Sequence, residues 1–487
     1  MRRRRFIQLS ALASAASLLK INGLAQLAPG TSLRLTIAPH NTGSLIGPDF
    51  TGLSYESAQL GDPSFFSPRN TQLITLVRGL GKSGVLRIGG NTSEYCYWTP
   101  NPTTADIAAQ TAPVNPSTGK QPDAVRKITP QAVRNLSDFV DVIGWKLIYG
   151  LNMGTGTAED AADEAAYVMK LLGPKLIAFQ LCNEPDLFFR NGIRKAGYNF
   201  SDFAKEWQHF YEVIRARVPN APFSGPDTAF NNEWLVPFAN QFKREIVFLS
   251  QHYYAEGPPT DPLMTLQRLL RPNPRLIAEF AGMKQTHEQT GLPFRLTETN
   301  SCYQAGKQGV SNTFASALWG AELMYQLASQ GGIGINFHGG GYGWYTPIAG
   351  TRQAGFEARP IYYGMLLFAQ AGAGQLVENR LSQAQPGDSI AAYSLKTPSG
   401  IKTVLFNKNP SVGLRLVIDP GQRSHRANLL SLTAPHLDST SGVMLGESAA
   451  NASVAWSPSR QHSISAKDGL FTVDLPAASA ALVSFLE

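Results

Sequence analysis

Cysteine is nearly absent from this chain, with 3 in 487 residues: Cys96, Cys182 and Cys302. Each stands near the end of an expected strand, where a buried thiol is the ordinary reading, so no disulfide framework is expected. No metal-ligand spacing is present, and neither a metal nor an organic cofactor is expected. No Gly-rich phosphate loop follows the first strand of the central region, which argues against a dinucleotide-binding, doubly wound sheet. Charge is also scarce, at 16% of residues. Of the net charge of +7, five units come from Arg2, Arg3, Arg4, Arg5 and Lys20, ahead of any acidic residue. No basic cluster of similar density follows, so a nucleic-acid partner is not expected.

That basic start introduces an apolar Phe6–Leu19 segment rich in Ala and Ser and then Gly23-Leu24-Ala25. Residues 1–25 therefore read as an export signal, too short to span a bilayer convincingly. Arg3-Arg4 before Arg5-Phe6 resembles a twin-arginine signal, which exports folded proteins. The expectation is an exported protein, periplasmic or extracellular, with no membrane attachment once the signal is removed and acting as a monomer. An uncleaved amphipathic helix is the alternative.

With 43% hydrophobic residues the chain has ample core, and its length accommodates a barrel of about 250 residues with a smaller companion. Ser32–Ile37 alternates with period two and reads as a strand that pairs elsewhere, within an N-terminal segment 26–47. From residue 50, apolar runs alternate with amphipathic helices. Eight strands are expected at Phe50–Glu56, Val85–Asn91, Lys146–Asn152, Leu176–Glu184, Phe223–Thr228, Ile246–Tyr254, Phe294–Asn300 and Gly334–Gly340. Helices are expected at Thr157–Leu172, from Ser201 with Phe203, Trp207, Phe210, Tyr211 and Ile214 on one face, and at Ser311–Gln330. This pattern predicts a (β/α)8 TIM barrel over residues 48–370. Beyond it, short strands at Ser389–Leu395, Lys402–Asn407, Leu414–Ile418, Leu470–Leu475 and Ala480–Leu486 predict a β-sandwich domain over 371–487 that also takes the N-terminal strand. The long Trp98–Lys127 loop, rich in Pro, Thr, Asn and Gln, is expected on the barrel rim, closing the far side of the pocket. The glycine-rich Gly339–Thr346 loop follows the eighth strand.

The chemistry is expected where buried strands turn polar at their carboxyl ends. Ile177–Pro185 does so most abruptly, passing from an apolar run into Asn183, Glu184 and Pro185. The other strand ends contribute Glu56, Asn91, His252, Tyr253, Tyr254, Glu298, Asn300 and His338. Glutamates on strands four and seven of an eight-strand barrel face each other across its mouth. Cleavage of a glycosidic bond needs such a pair, one carboxyl to protonate the leaving oxygen and one carboxylate on the sugar's other side. Read singly, either glutamate could be a rim carboxylate in an ordinary salt bridge, and Asn183 could be a satisfied core amide.

These residues resemble the retaining barrel glycosidases. More narrowly, they resemble glycoside hydrolase family 79, the bacterial β-glucuronidases and their heparanase relatives. The resemblance runs from about Phe50 to Tyr345. It is carried by Leu86–Asn91, Asn183-Glu184-Pro185, Gln251–Tyr254, Thr297–Tyr303 and the glycine-rich loop through Tyr345. It implies that Glu184 is the acid/base, with a raised pKa, that Glu298 is the nucleophile, and that Tyr254 supports the nucleophile. The two carboxyl groups would stand ~5–5.5 Å apart. Glu56, Asn91 and Asn183 would hold sugar hydroxyls. Tyr303, the backbone at Gln304 to Gly306, and Tyr345 would receive a C6 carboxylate, with Lys307 adding charge. Where relatives carry a run of glycines after the tyrosine, this chain has Gln304-Ala305-Gly306.

The substrate so implied is a terminal β-linked glucuronic acid, 4-O-methylated or not, on a glycan or glucuronide, cleaved by an exo-acting retaining enzyme. An endo-acting, heparanase-like enzyme on acidic polysaccharide is the alternative; the low charge of the mature chain and the unbroken Trp98–Lys127 loop argue against it. A catalytically silent carbohydrate-binding protein would be expected to lack one of the two glutamates.

Overall fold

In the computed structural model the described residues are 32–108, 114, 126–382 and 389–486. The export signal and most of the loop between Ala108 and Arg126 lie outside them. The central region is a closed barrel of eight parallel strands: Thr51–Glu56, Val85–Gly89, Lys146–Gly150, Leu176–Gln180, Phe223–Thr228, Phe248–Glu256, Phe294–Cys302 and Ile335–Gly339. All eight expected strands are present, with ends that differ by a few residues.

The largest difference is at the fourth strand, expected to run to Glu184 but ending at Gln180. The ladder cannot continue because its amides are claimed elsewhere. Asn183 N–H donates to the Glu94 carboxylate at 2.6 Å and Glu184 N–H to the Asp227 carbonyl at 2.9 Å. Glu184 itself turns into the left-handed region, φ 49° and ψ 56°, so its side chain departs from the direction a strand would give it.

The helices follow the expected capping chemistry. Thr157 accepts from Asp160 N–H to open Ala158–Leu172, and Asn199 with Asp202 forms a capping box on Phe200–Arg217. The apolar face of the latter brings Trp207 within 4.5 Å of Phe242 and 6.1 Å of Phe223, ring centre to ring centre, fastening helix to barrel. At the N-terminal end of the barrel, buried Arg295 donates to Asn336 Oδ1 and to the Asp49 and Phe50 carbonyls, closing the floor.

The second β-rich region is one continuous ten-stranded sheet folded over its own apolar core, which is how the expected sandwich is realised. Its strands include Gly374–Leu381 and Arg426–Thr433, which were not anticipated. The first strand, Ser32–Ile46, lies between Gly374–Leu381, antiparallel, and Leu414–Asp419, parallel. The first and last strands of the described residues thus share a sheet. Phe471 and Phe485, on strands far apart in the sheet order, meet at 5.1 Å across the fold.

Two helices, Phe314–Ser329 and Pro360–Ala371, are buried almost all round because they are sandwiched between barrel and sheet. They pack closely at Gly364, where a Cβ would collide with the Ala317 carbonyl. Tyr325 stacks on Tyr393 at 5.0 Å, and a buried Lys408–Glu322 ion pair at 2.6 Å crosses the same interface.

The fully buried Leu35 ties the N-terminal strand to this sheet core. Leu35→Ala is expected to cost ~2–5 kcal/mol in chemical denaturation, the usual range for a buried leucine. A loss well under 1 kcal/mol would show that the strand is dispensable.

Candidate active site

The carboxyl ends of the barrel strands converge on a buried cation. Arg87, on the second strand, is 1% exposed and uses its whole guanidinium fork. Nε donates to Gln180 Oε1 at 2.7 Å. Nη1 donates to Ser54 Oγ at 3.1 Å and Glu298 Oε2 at 2.6 Å. Nη2 donates to Asn183 Oδ1 at 2.8 Å and Asp227 Oδ2 at 2.7 Å. One side chain thereby orients groups from strands one, four, five and seven.

Glu298 is held from two sides, since Tyr254 O–H donates to its other oxygen at 2.7 Å. Burial alone would raise its pKa, but the positive pull of His338, His252 and Arg87, with the Tyr254 hydrogen bond, holds it well below the usual carboxylate range. Glu298 is therefore ionised at neutral pH, as a nucleophilic carboxylate must be.

Glu184 is 8% exposed and faces His252, whose Nδ1 lies 3.0 Å from Glu184 Oε1. His252 Nε2 lies 3.1 Å from Asp227 Oδ2, close enough for ion pairing though not aligned as a hydrogen bond. Burial opposes charge on this ring, but Asp227 and Glu298 outweigh it and raise His252 to about 10. One oxygen of Glu184, one of Glu298 and a ring nitrogen of His252 all lie within 4.8 Å of one another. Two carboxylates and an imidazole are a possible cation-binding set that sequence spacing did not reveal. A metal there would have to displace the proton of His252 and compete with the guanidinium already on Glu298.

A cavity of about 350 Å³ opens over this pair. Of the candidate residues, Glu56, Asn91, Glu184, Tyr254, Glu298, Tyr303, Gln304 and Tyr345 line it. Asn183 and Gly306 are not part of its lining. Asn183 backs Asn91, donating to its Oδ1 at 3.2 Å, and Gly306 packs on the Tyr345 backbone at φ 88°. Lys307 also misses the cavity and donates to the Asp261 carbonyl at 2.8 Å. Glu56 is anchored by Thr92, whose N–H and O–H both donate to one oxygen, at 2.9 and 2.7 Å. Tyr345 is buried, fixed by Asn300 Nδ2 donating to its carbonyl at 3.0 Å, whereas Tyr303 remains 39% exposed at the mouth.

The segment after Tyr303 has an unusual backbone. Gln304, Ala305 and Gly306 all have positive φ, at 59°, 65° and 88°. This explains why glycines suit these positions and why two non-glycine residues here carry strain. The Ala305 carbonyl accepts from Trp344 N–H at 2.7 Å, locking the loops of strands seven and eight together.

Sequence reasoning missed Arg87, Asp227 and Glu94 as working parts, and gave no role to His252 or His338. An arginine inside an apolar strand run was the available signal for Arg87. Asp227 sits in the left-handed region at φ 60°, on a strand whose end offered no apparent pattern. Buried Glu94 is pushed up to about 8 by burial, partly offset by backbone donors at Asn183 and Gly154; it grips the turn that carries Asn183.

No family model matches the chain. A protein named Beta-glucuronidase from Aspergillus niger is 28% identical over 376 residues, 71% of this chain and 66% of that protein. Another Beta-glucuronidase, from Neurospora crassa, is 27% identical over 340 residues, 62% of this chain and 59% of that one. The chain thus spans a little under two thirds of the length of these relatives. Both are fungal, whereas the resemblance in the sequence pointed to bacterial enzymes. Among solved structures, a 4-O-α-L-rhamnosyl-β-D-glucuronidase from Fusarium oxysporum superposes with a TM-score of 0.72 at 17% identity, over 93% of this chain and all of that one. An α-L-arabinofuranosidase from Thermotoga maritima reaches 0.68 at 14% identity, with the same coverage. The fold is the one these glycosidases carry, a TIM barrel with an added β-rich domain.

The charges around His252 give a pH dependence of definite sign. Its folded pKa is raised above the unfolded ~6.5, so its stabilising contribution is fully present below ~6.5 and is lost as pH rises through about 10. The difference in melting temperature between wild type and His252→Asn is expected to be largest near pH 6 and to shrink towards pH 10. A difference that grows with pH in a calorimetric series would contradict the charged assignment.

Proposed function

We propose that the chain is a retaining exo-β-glucuronidase of glycoside hydrolase family 79, exported from its cell. The observation that carries this reading is the juxtaposition of Glu184 and Glu298, with oxygens within 4.8 Å, beneath a cavity large enough for a sugar. Retaining enzymes hold their carboxyl groups ~5–5.5 Å apart; inverting ones need ~6.5–9.5 Å for an intervening water. The relatives named Beta-glucuronidase support the choice of sugar.

In the first step Glu298 attacks the anomeric carbon, and the bond to the leaving oxygen breaks as protonated Glu184 delivers its proton there. In the second, Glu184 takes a proton from water, which attacks the same carbon and releases the Glu298 carboxylate. His338, His252 and Arg87 keep Glu298 ionised, and Arg87 and Tyr254 keep it aimed, so no reorganisation is needed as charge moves. Glu56 and Asn91 are placed for sugar hydroxyls. Tyr303, Tyr345 and the backbone after Tyr303 supply neutral donors for the C6 carboxylate.

Among the described residues no helix is long and apolar enough to cross a membrane. Export rests on the N-terminal basic and apolar pattern alone.

An aryl β-glucuronide is expected to be cleaved at least ~100-fold faster, in kcat/KM, than the matching β-glucoside, because a pocket built for one polar group rejects analogues lacking it. Glu298→Gln should lose ~10³-fold or more in kcat, and the first-formed product by NMR should be the β-anomer. Preference for the glucoside would refute the sugar assignment, and an α-anomer would refute retention.

A further inference from the structure

Part of the cavity lining has no role in the sugar site proposed above. On the acid side of the pair the lining continues along Leu187, Arg190 and Asn191, from the turn that follows Glu184, and along Phe230 and Arg275. These segments form one wall. Leu187 N–H donates to the Glu184 carbonyl at 2.9 Å, and Asp186 accepts from Ala229 N–H at 3.0 Å, joining the turn to the loop that carries Phe230. The guanidinium of Arg275 lies 5.1 Å from the centre of the Phe230 ring. The protonating carboxyl of a glycosidase points at the leaving group, so a wall built on the Glu184 turn is where the leaving group rests.

The chemistry of this wall differs from that of the sugar side. The sugar-binding residues are carboxylates, amides and tyrosines; this wall adds Leu187, Phe230 and two arginines, of which Arg275 also lies near enough to Tyr303 for its charge to be felt there. Among the described residues neither Arg190 nor Arg275 makes a salt bridge, whereas Arg194 and Arg268 nearby on the chain are paired with Glu206 and Glu256. Arg275 does feel Glu279, one helical turn on, which offsets part of its charge. Exposed arginines over an aromatic face can stack on an aglycone ring and pair with an anionic substituent.

We propose that the leaving-group half of the cavity is a subsite for anionic aglycones, which deepens the glucuronidase reading and rests on it. The preferred substrate joins the glucuronic acid to a unit that itself carries a carboxylate or sulfate. The apolar body of that unit lies against Phe230 and Leu187, and its charge lies between Arg190 and Arg275.

The test compares 3-carboxyphenyl β-glucuronide with its N-methylcarboxamide, at low and high salt, using wild type and the R190Q/R275Q double variant. Wild type is expected to favour the carboxylate about tenfold in kcat/KM at low ionic strength, the scale of two partly exposed charge pairs. The preference should shrink in high salt and fall to near parity in the variant. Parity in wild type, or an unchanged ratio in the variant, would overturn the subsite. So would a variant that keeps the aglycone ratio but loses discrimination between glucuronide and glucoside, because the arginines would then serve the sugar carboxylate. If only glucosides are cleaved, the underlying sugar assignment fails instead, and the same carboxylate-to-carboxamide ratio measured on the glucosides still decides the subsite.

Discussion

Arg87 is a permanent cation in the dry centre of a barrel. Removing a guanidinium from water is expensive, and only close, well-aligned anionic and polar partners offset that cost. The fold meets the demand with Glu298 and Asp227 as counter-charges and with Gln180, Asn183 and Ser54 as neutral acceptors. Each acceptor comes from a different place on the strand ends, so the requirement to satisfy one side chain sets the register at the barrel mouth. Taking the cation away would leave two buried carboxylates short of a partner. A hydrophobic substitute at position 87 would thus disturb Glu298 and the turn that carries Glu184 together.

Strain is concentrated around this hub. Glu184, Asp227, Gln304 and Ala305 all occupy left-handed backbone, where non-glycine residues are disfavoured. Glu184 and Asp227 hold each other through one backbone hydrogen bond, and the Glu94 carboxylate takes the neighbouring amide. The remainder of the protein holds these conformations in place. The barrel strands form a rigid ring, the helix pair at Gly364 mounts that ring on the ten-stranded sheet, and the N-terminal strand completes the sheet.

Much of this was legible in the sequence. Eight apolar runs with helical spacers give a barrel because each run is buried on both faces, and the period-two segment at Ser32–Ile37 could only be a half-exposed strand. The pair Glu184 and Glu298 was legible because both apolar runs turn polar towards the same end of the barrel, although Glu184 stands in the turn beyond its strand and Glu298 within a strand that runs on to Cys302. The missing parts lack such a signature. Arg87 reads as an interruption of its strand, and only the three-dimensional convergence of five acceptors explains it. Asp227 lies at the end of an expected strand, but Phe223-Ser224-Gly225-Pro226 before it lacks the switch from apolar to polar residues that drew attention to the other strand ends. The strand Gly374–Leu381 lacks strict alternation because one of its faces is only partly covered. Arg190 sits in an exposed turn and Arg275 at the exposed start of the helix Pro274–Thr290, where a single basic residue carries no positional information.

In the proposed mechanism Glu298, held ionised by His338, His252, Arg87 and Tyr254, forms a covalent bond to the sugar. This step is tested most directly by incubating the protein with a 2-deoxy-2-fluoro-β-glucuronyl fluoride, which slows breakdown of the intermediate more than its formation. Peptide mapping by mass spectrometry should then find one fluoroglucuronyl group, on Glu298. A label on another carboxylate, or inactivation without any covalent adduct, would contradict the account.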